Sequence, residues 1–182
     1  MRVIAGSLKG RRLKAPAWDG LRPTSDKLRE TLFNILAPRV AGARVLDGYA
    51  GTGAVGIEAM SRGAASVAFV ERDRRAQQLI AENLAHCGLT SGCVIIRASV
   101  ARAIDDLTHA HDSFDLILLD PPYDSENVTA ALDAAAGRVA RDGLVVLERA
   151  TRREPAESAA LRRVRDVKSG DSTLTFYTGR GE

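Results

Sequence analysis

The chain has 182 residues, 45% hydrophobic and 27% charged, with a formal net charge of +3. That is long enough for one domain with its own core, and the balance is that of a globular protein, not of a disordered, collagenous or disulfide-stapled chain. Cys87 and Cys93 have five residues between them (C-x5-C), a spacing that fits neither a common zinc site nor a redox pair. His86, His109 and His111 form no ligand pattern, so no metal is expected. No apolar run reaches the length of a membrane span and no signal peptide is visible, so the expectation is a cytoplasmic protein without a membrane partner.

In chain order, "MRVIAGSLKGRRLKAP" reads as two short runs about "GSLKG", a β-hairpin closed by Pro16. It is also where the charge gathers. Residues 1–40 carry nine Lys or Arg against three Asp or Glu, whereas the rest carry seventeen against twenty. Arg2, Lys9, Arg11, Arg12 and Lys14 fall within fourteen residues, which points to a polyanionic partner such as RNA. Residues 1–20 are therefore expected to form a basic extension and residues 21–182 the main domain. Thr24 or Ser25 then caps a helix with Leu28, Leu32, Phe33, Ile35 and Leu36 on one face, and Pro38 closes it.

From Arg44 onward the pattern changes. Short apolar runs at 45–47, 67–71, 94–97, 114–120 and 144–148 alternate with helical stretches, one of them stopped by Gly88. This alternation predicts an α/β fold with a parallel sheet covered on both faces. Two runs around "KSGDS" add a terminal antiparallel hairpin. In such sheets ligands collect beyond the carboxyl ends of the strands, where Asp47, Glu71, Arg97 and Asp120 fall.

Two motifs lie there. In "VLDGYAGTGAVGIEAM" Gly51, Gly53 and Gly56 spell G-x-G-x-x-G, and Glu71 follows Gly51 by twenty residues. Alone, this is a dinucleotide fingerprint. However, Asp47 closes the strand and Tyr49 precedes the glycines, and a carboxylate there repels a pyrophosphate. It suits instead the ammonium and sulfonium of S-adenosylmethionine. Glu71 serves either cofactor, since both carry a ribose with vicinal hydroxyls. The second motif, Asp120-Pro121-Pro122-Tyr123, decides between them. Two prolines fix the backbone and leave carbonyl acceptors without N–H donors. Asp120 and the Pro121 carbonyl can accept both N–H bonds of an exocyclic base amine and stabilise its developing charge. Tyr123 can stack on the base.

The pairing of "DGYAGTG" with "DPPY" resembles the class I amino-methyltransferases. Together with "RVIAGSLKGRRLKAP" and "LRPTSDKLRETLFNIL", the chain is similar to the RsmD family of bacterial 16S rRNA guanine-N2 methyltransferases. The resemblance implies a Rossmann-like, seven-stranded sheet, mostly parallel with an antiparallel last strand, and a small N-terminal hairpin. It implies S-adenosylmethionine as donor and N2-methylguanine as product, made on 16S rRNA in a partly or fully assembled 30S subunit by a monomer. Carried over residue by residue, Asp47, Tyr49, Ala50, Gly51 and Gly53 hold the methionine end of the donor and Glu71 its ribose. Arg22 and Thr24 cover it from the other side. Many class I enzymes place an acid after the third strand to bind adenine, but here the chain reads "IIRASV", so adenine contacts fall to Ala98 and Ser99.

Rival readings remain. Asp-Pro-Pro-Tyr does not encode the base, so an adenine-N6 or DNA methyltransferase shares the chemistry, although the chain is short for a DNA-recognition domain. An NAD-dependent oxidoreductase leaves the motif without a role, and a catalytically idle RNA-binding domain leaves both motifs without one.

Overall fold

A computed structural model of the chain describes residues 1–18, 24–106, 113–122 and 128–180. Helix α1 (Asp26–Val40) starts where a cap was expected, with the Ser25 hydroxyl accepting the Leu28 N–H at 3.2 Å. Pro38 does not end it: the helix runs on to Val40. A proline in the last turn removes only one helical hydrogen bond, and its fixed φ is itself helical.

Strands β1 (Arg44–Gly48), β2 (Ser66–Val70), β3 (Cys93–Ile96), β4 (Phe114–Leu119) and β5 (Val139–Ala150) are joined through helices. These are α2 (Ala54–Ser61), α3 (Arg74–Cys87), α4 (Val100–Asp105) and α5 (Val128–Ala136). The chain ends in the hairpin β6 (Leu161–Ser169) and β7 (Ser172–Gly179). Together the strands form one seven-stranded sheet in the order β3-β2-β1-β4-β5-β7-β6. β1 to β5 pair in parallel, and β7 runs antiparallel to both β5 and β6.

Successive residues of the central strands face opposite layers, as strand geometry requires. Leu116 and Leu118 join a core built with α1, α2 and α3, while Ile117 and Leu119 join a second core with α4 and α5. Strands buried on both sides read as unbroken apolar runs, which is what made "LILL" in β4 legible. Gly88 has φ +71° and caps α3 as its position suggested.

The N-terminal residues fold back antiparallel as the expected hairpin does, but with a short ladder. A single antiparallel bridge joins Arg2 to Arg12, with Val3 N–H donating to the Arg11 carbonyl at 2.9 Å. Helix α2 takes up amides that a longer ladder would use. The buried Glu58 carboxylate accepts the Ile4 and Ala5 N–H groups at 2.7 and 3.0 Å, and Ser61 Oγ accepts that of Leu8 at 2.9 Å.

Sheet order reverses between β1 and β4, because β1 continues outward through β2 and β3 while β4 continues through β5. This switch point is where an open α/β sheet leaves a crevice for ligands. Both sequence motifs follow these two strands.

Candidate active site at the switch point

The loop after β1 is held in a conformation that few residues adopt. Tyr49 has φ 64° and is the one non-glycine residue with positive φ among those described. Strain of this kind persists only where the surroundings fix it, and it collects at ligand sites. Ala50 N–H donates to the Val70 carbonyl at 3.0 Å, tying the loop to the end of β2. Gly51 (φ 55°) and Gly53 (φ 76°) supply the left-handed turns that bring the chain into α2. Gly56 matters for packing instead. A Cβ there would stand 2.3 Å from the Phe69 ring, so this glycine lets α2 lie against β2.

Glu71 faces the loop from the end of β2. Its Oε2 accepts the Gly51 N–H at 3.0 Å and its Oε1 accepts the Asp73 N–H at 2.8 Å. A carboxylate offers about four acceptor positions, so the braced group retains acceptor capacity for a diol. Asp47 is placed differently from a countercharge at an open cleft. It is 3% exposed, and its Oδ2 accepts the Gly56 N–H at 2.8 Å. Burial pushes its pKa up to about 8, the Gly56 hydrogen bond opposes this, and the charges of Asp120 and Glu71 add to it.

Across the switch point, Asp120 N–H donates to the Gly48 carbonyl at 3.3 Å, which places the second motif beside the first. The Thr24 hydroxyl donates to Asp120 Oδ2 at 2.5 Å, so the residue before the α1 cap fixes the carboxylate. Pro121 is buried and Pro122 exposed. Thr24, Asp47, Val55, Asp120 and Glu148 line one slot, and a second cavity of about 230 Å³ lies against Pro121 and Pro122. Arg22 and Tyr123 lie outside the described residues.

The expected adenine contacts gain less from the geometry. Glu71 N–H donates to the Ile96 carbonyl at 3.1 Å, so the β3 end does adjoin the Glu71 loop. Ser99, however, caps α4 by accepting the Arg102 N–H at 3.4 Å, and Ala98 packs against the second core. Arg2, Lys9, Arg11, Arg12 and Lys14 are all exposed. Two of them are engaged with α3: Arg11 donates to the His86 carbonyl at 2.9 Å, and Lys14 pairs with Glu82 at 2.9 Å. Among the described residues no group of three or more His, Cys, Asp or Glu could hold a metal ion.

Sequence reasoning missed Asn83, Glu58 and Glu148. Asn83 is fully buried; it exchanges hydrogen bonds with the Lys14 backbone and donates to the Thr52 carbonyl at 3.0 Å, linking the N-terminal segment to the glycine loop. Its signal was a polar residue on an otherwise apolar helix face. The same holds for Glu58 in "AVGIEAMS". Glu148 ends the apolar run "LVVLE" just as Asp120 ends its own.

A family model described as "Conserved hypothetical protein 95" matches residues 1–178. YlbH of Bacillus subtilis (strain 168), provisionally named an rRNA methyltransferase, is 38% identical over 184 residues and is covered completely, as is this chain. "Ribosomal RNA small subunit methyltransferase D" of Escherichia coli (strain K12) is 40% identical over 123 residues, 68% of this chain and 60% of that protein. Among solved structures, yhhF from Escherichia coli, provisionally named a methyltransferase, matches with a TM-score of 0.83 at 31% identity. That match covers 100% of this chain and 99% of the other.

Proposed function

The chain belongs to the RsmD family of S-adenosylmethionine-dependent rRNA methyltransferases, and from that premise we propose that it methylates N2 of one guanine in small-subunit rRNA. The observation that carries the reading is the placement of Asp120-Pro121-Pro122 directly across the sheet's switch point from the Gly51–Glu71 loop. A dinucleotide site has no use for that second strand end.

S-adenosylmethionine, when bound, supplies a methyl group on a positively charged sulfur. Glu71, held by two backbone N–H groups, accepts the vicinal ribose hydroxyls. Gly51 and Gly53 let the backbone approach the methionine end, together with Asp47, Tyr49 and Ala50. Burial favours the protonated form of Asp47, and a cation bound beside it would favour the carboxylate. Thr24 orients the Asp120 carboxylate, which accepts one N–H of the base amine while the Pro121 carbonyl accepts the other. This favours a pyramidal nitrogen and stabilises the positive charge that develops there. The released proton passes to Asp120 or to water. Tyr123 would stack on the flipped base, Arg22 with Thr24 would cover the donor, and Ala98 and Ser99 would border its adenine. Arg2, Lys9, Arg11, Arg12 and Lys14 hold RNA phosphates, and the substrate is a partly or fully assembled 30S particle met by a monomer in the cytoplasm.

The reading predicts a division of labour. Asp120→Ala should abolish methyl transfer to undermethylated 30S particles yet bind the donor nearly as the wild type does. Glu71→Ala should weaken donor binding by roughly 1.5–3 kcal/mol, the worth of a charge-assisted hydrogen bond. Calorimetry and label transfer check both. Binding of NAD with no response to S-adenosylmethionine would refute the proposal, as would wild-type transfer by Asp120→Ala.

A further inference from the structure

We propose that Glu148 determines the choice of base by accepting the N1–H of the target guanine, an inference that rests on the guanine-N2 reading above. The register of the parallel strands carries the argument. Leu118 pairs with Val146 and Leu119 with Leu147, so the next positions, Asp120 just past the end of β4 and Glu148 two residues before the end of β5, stand side by side in the site. Neighbouring strands are about 4.8 Å apart, and residues in register project from the same face. Both acids accordingly line the slot beneath Thr24. Glu148 also borders the cavity against Pro121 and Pro122, so it lies between the amine-binding turn and the space beside it. It is 8% exposed, and the Ser172 hydroxyl on β7 donates to its Oε1 at 3.0 Å, which fixes the carboxylate.

Asp120 and the Pro121 carbonyl accept an exocyclic amine from either purine, so discrimination needs a further group. In guanine the ring position next to the 2-amino group is N1–H, a donor. In adenine the position next to the 6-amino group is N1, an acceptor. A second carboxylate beside the amine acceptor therefore pairs with guanine and opposes adenine lone pair to lone pair. Sites built around such a hydrogen bond reject the analogue that lacks it far more strongly than apolar pockets reject a change of shape.

2-Aminopurine keeps the 2-amino group but has an unprotonated N1 and no O6, and Glu148→Gln tells these two losses apart because its amide can restore a bond to N1 alone. The test uses 30S particles reconstituted around 16S RNA with guanine or 2-aminopurine at the modified position. Wild-type enzyme should use 2-aminopurine roughly 10–150-fold less well in kcat/KM, the worth of one charge-assisted hydrogen bond. Glu148→Gln, whose amide can donate to N1, should use both within about threefold while binding S-adenosylmethionine as the wild type does. Ser172→Ala, which keeps the carboxylate, should preserve the discrimination. Equal use of the two bases by the wild type overturns the inference whether or not Glu148→Gln folds, and so does undiminished discrimination by Glu148→Gln. If the wild-type product is N6-methyladenine, the guanine reading and the role of Glu148 fall together. If it is N2-methylguanine with no discrimination, only Glu148 falls.

Discussion

Asp47 binds the Gly56 amide from a position almost without solvent, and that location gives it a distinctive pH signature. An aspartate of the unfolded chain ionises near 3.8, whereas burial pushes the folded group up to about 8. Between those values the folded state holds a proton that the unfolded chain has released. The stability this group contributes is fully present below about pH 3.8 and is lost as pH rises through 8. The slope is at most about 1.4 kcal/mol per pH unit. Asp47→Asn keeps an acceptor for the Gly56 N–H and cannot ionise. Its Tm should exceed that of the wild type at pH 8–9, with the gap closing toward pH 4, as thermal melts across that range can read. Parallel pH profiles for the two proteins would contradict this account of the residue.

At the scale of elements, the decisive contacts bind the N-terminal segment to α2 and α3. Glu58 is completely buried and serves three donors: the Ile4 and Ala5 amides and Arg62 Nε at 2.7 Å. Gly6 approaches α2 so closely that a Cβ would fall 1.8 Å from the Ser61 carbonyl oxygen, at a φ of +83° that already favours glycine. Removing one partner of a buried, paired charge typically costs 3–5 kcal/mol because the other partners are stranded. Glu58→Ala should therefore lower stability by about 3 kcal/mol and expose the segment. Hydrogen exchange at Ile4 and Ala5 should accelerate more than at Leu116–Leu119. Unchanged protection at residues 4 and 5 would show that other contacts hold the strap. None of this was legible in the sequence, because the bonds join residues 53 and 54 positions apart and leave no local pattern. Elements with a period of their own were legible: α1 from its cap and apolar face, β4 from its unbroken run, and the α3 stop from Gly88.

For the molecule as a whole, the sheet order places the glycine loop and Asp120 together, and a basic face lies on the strapped segment. Motif spacing picked out Asp47, Gly51, Glu71 and Asp120 as candidates for one site. Register, a property of paired strands, was needed to set Glu148 beside Asp120, and burial was needed to turn Asp47 from an open countercharge into a proton-holding group. The basic face makes a separate prediction. Arg11 and Lys14 are engaged with α3, so neutralising Arg2, Lys9 and Arg12 is the sharper test of phosphate contact. Each lost contact should reduce the log–log salt slope of RNA binding by about 0.7, with donor affinity unaffected. A slope unmoved by all three changes would leave these charges as a solvated face. The central claim is best tested on the product itself. Undermethylated 30S particles are incubated with the enzyme and labelled S-adenosylmethionine, the RNA is digested, and the labelled nucleoside is identified by mass spectrometry. The account predicts N2-methylguanosine from small-subunit rRNA, and labelled N6-methyladenosine would contradict it.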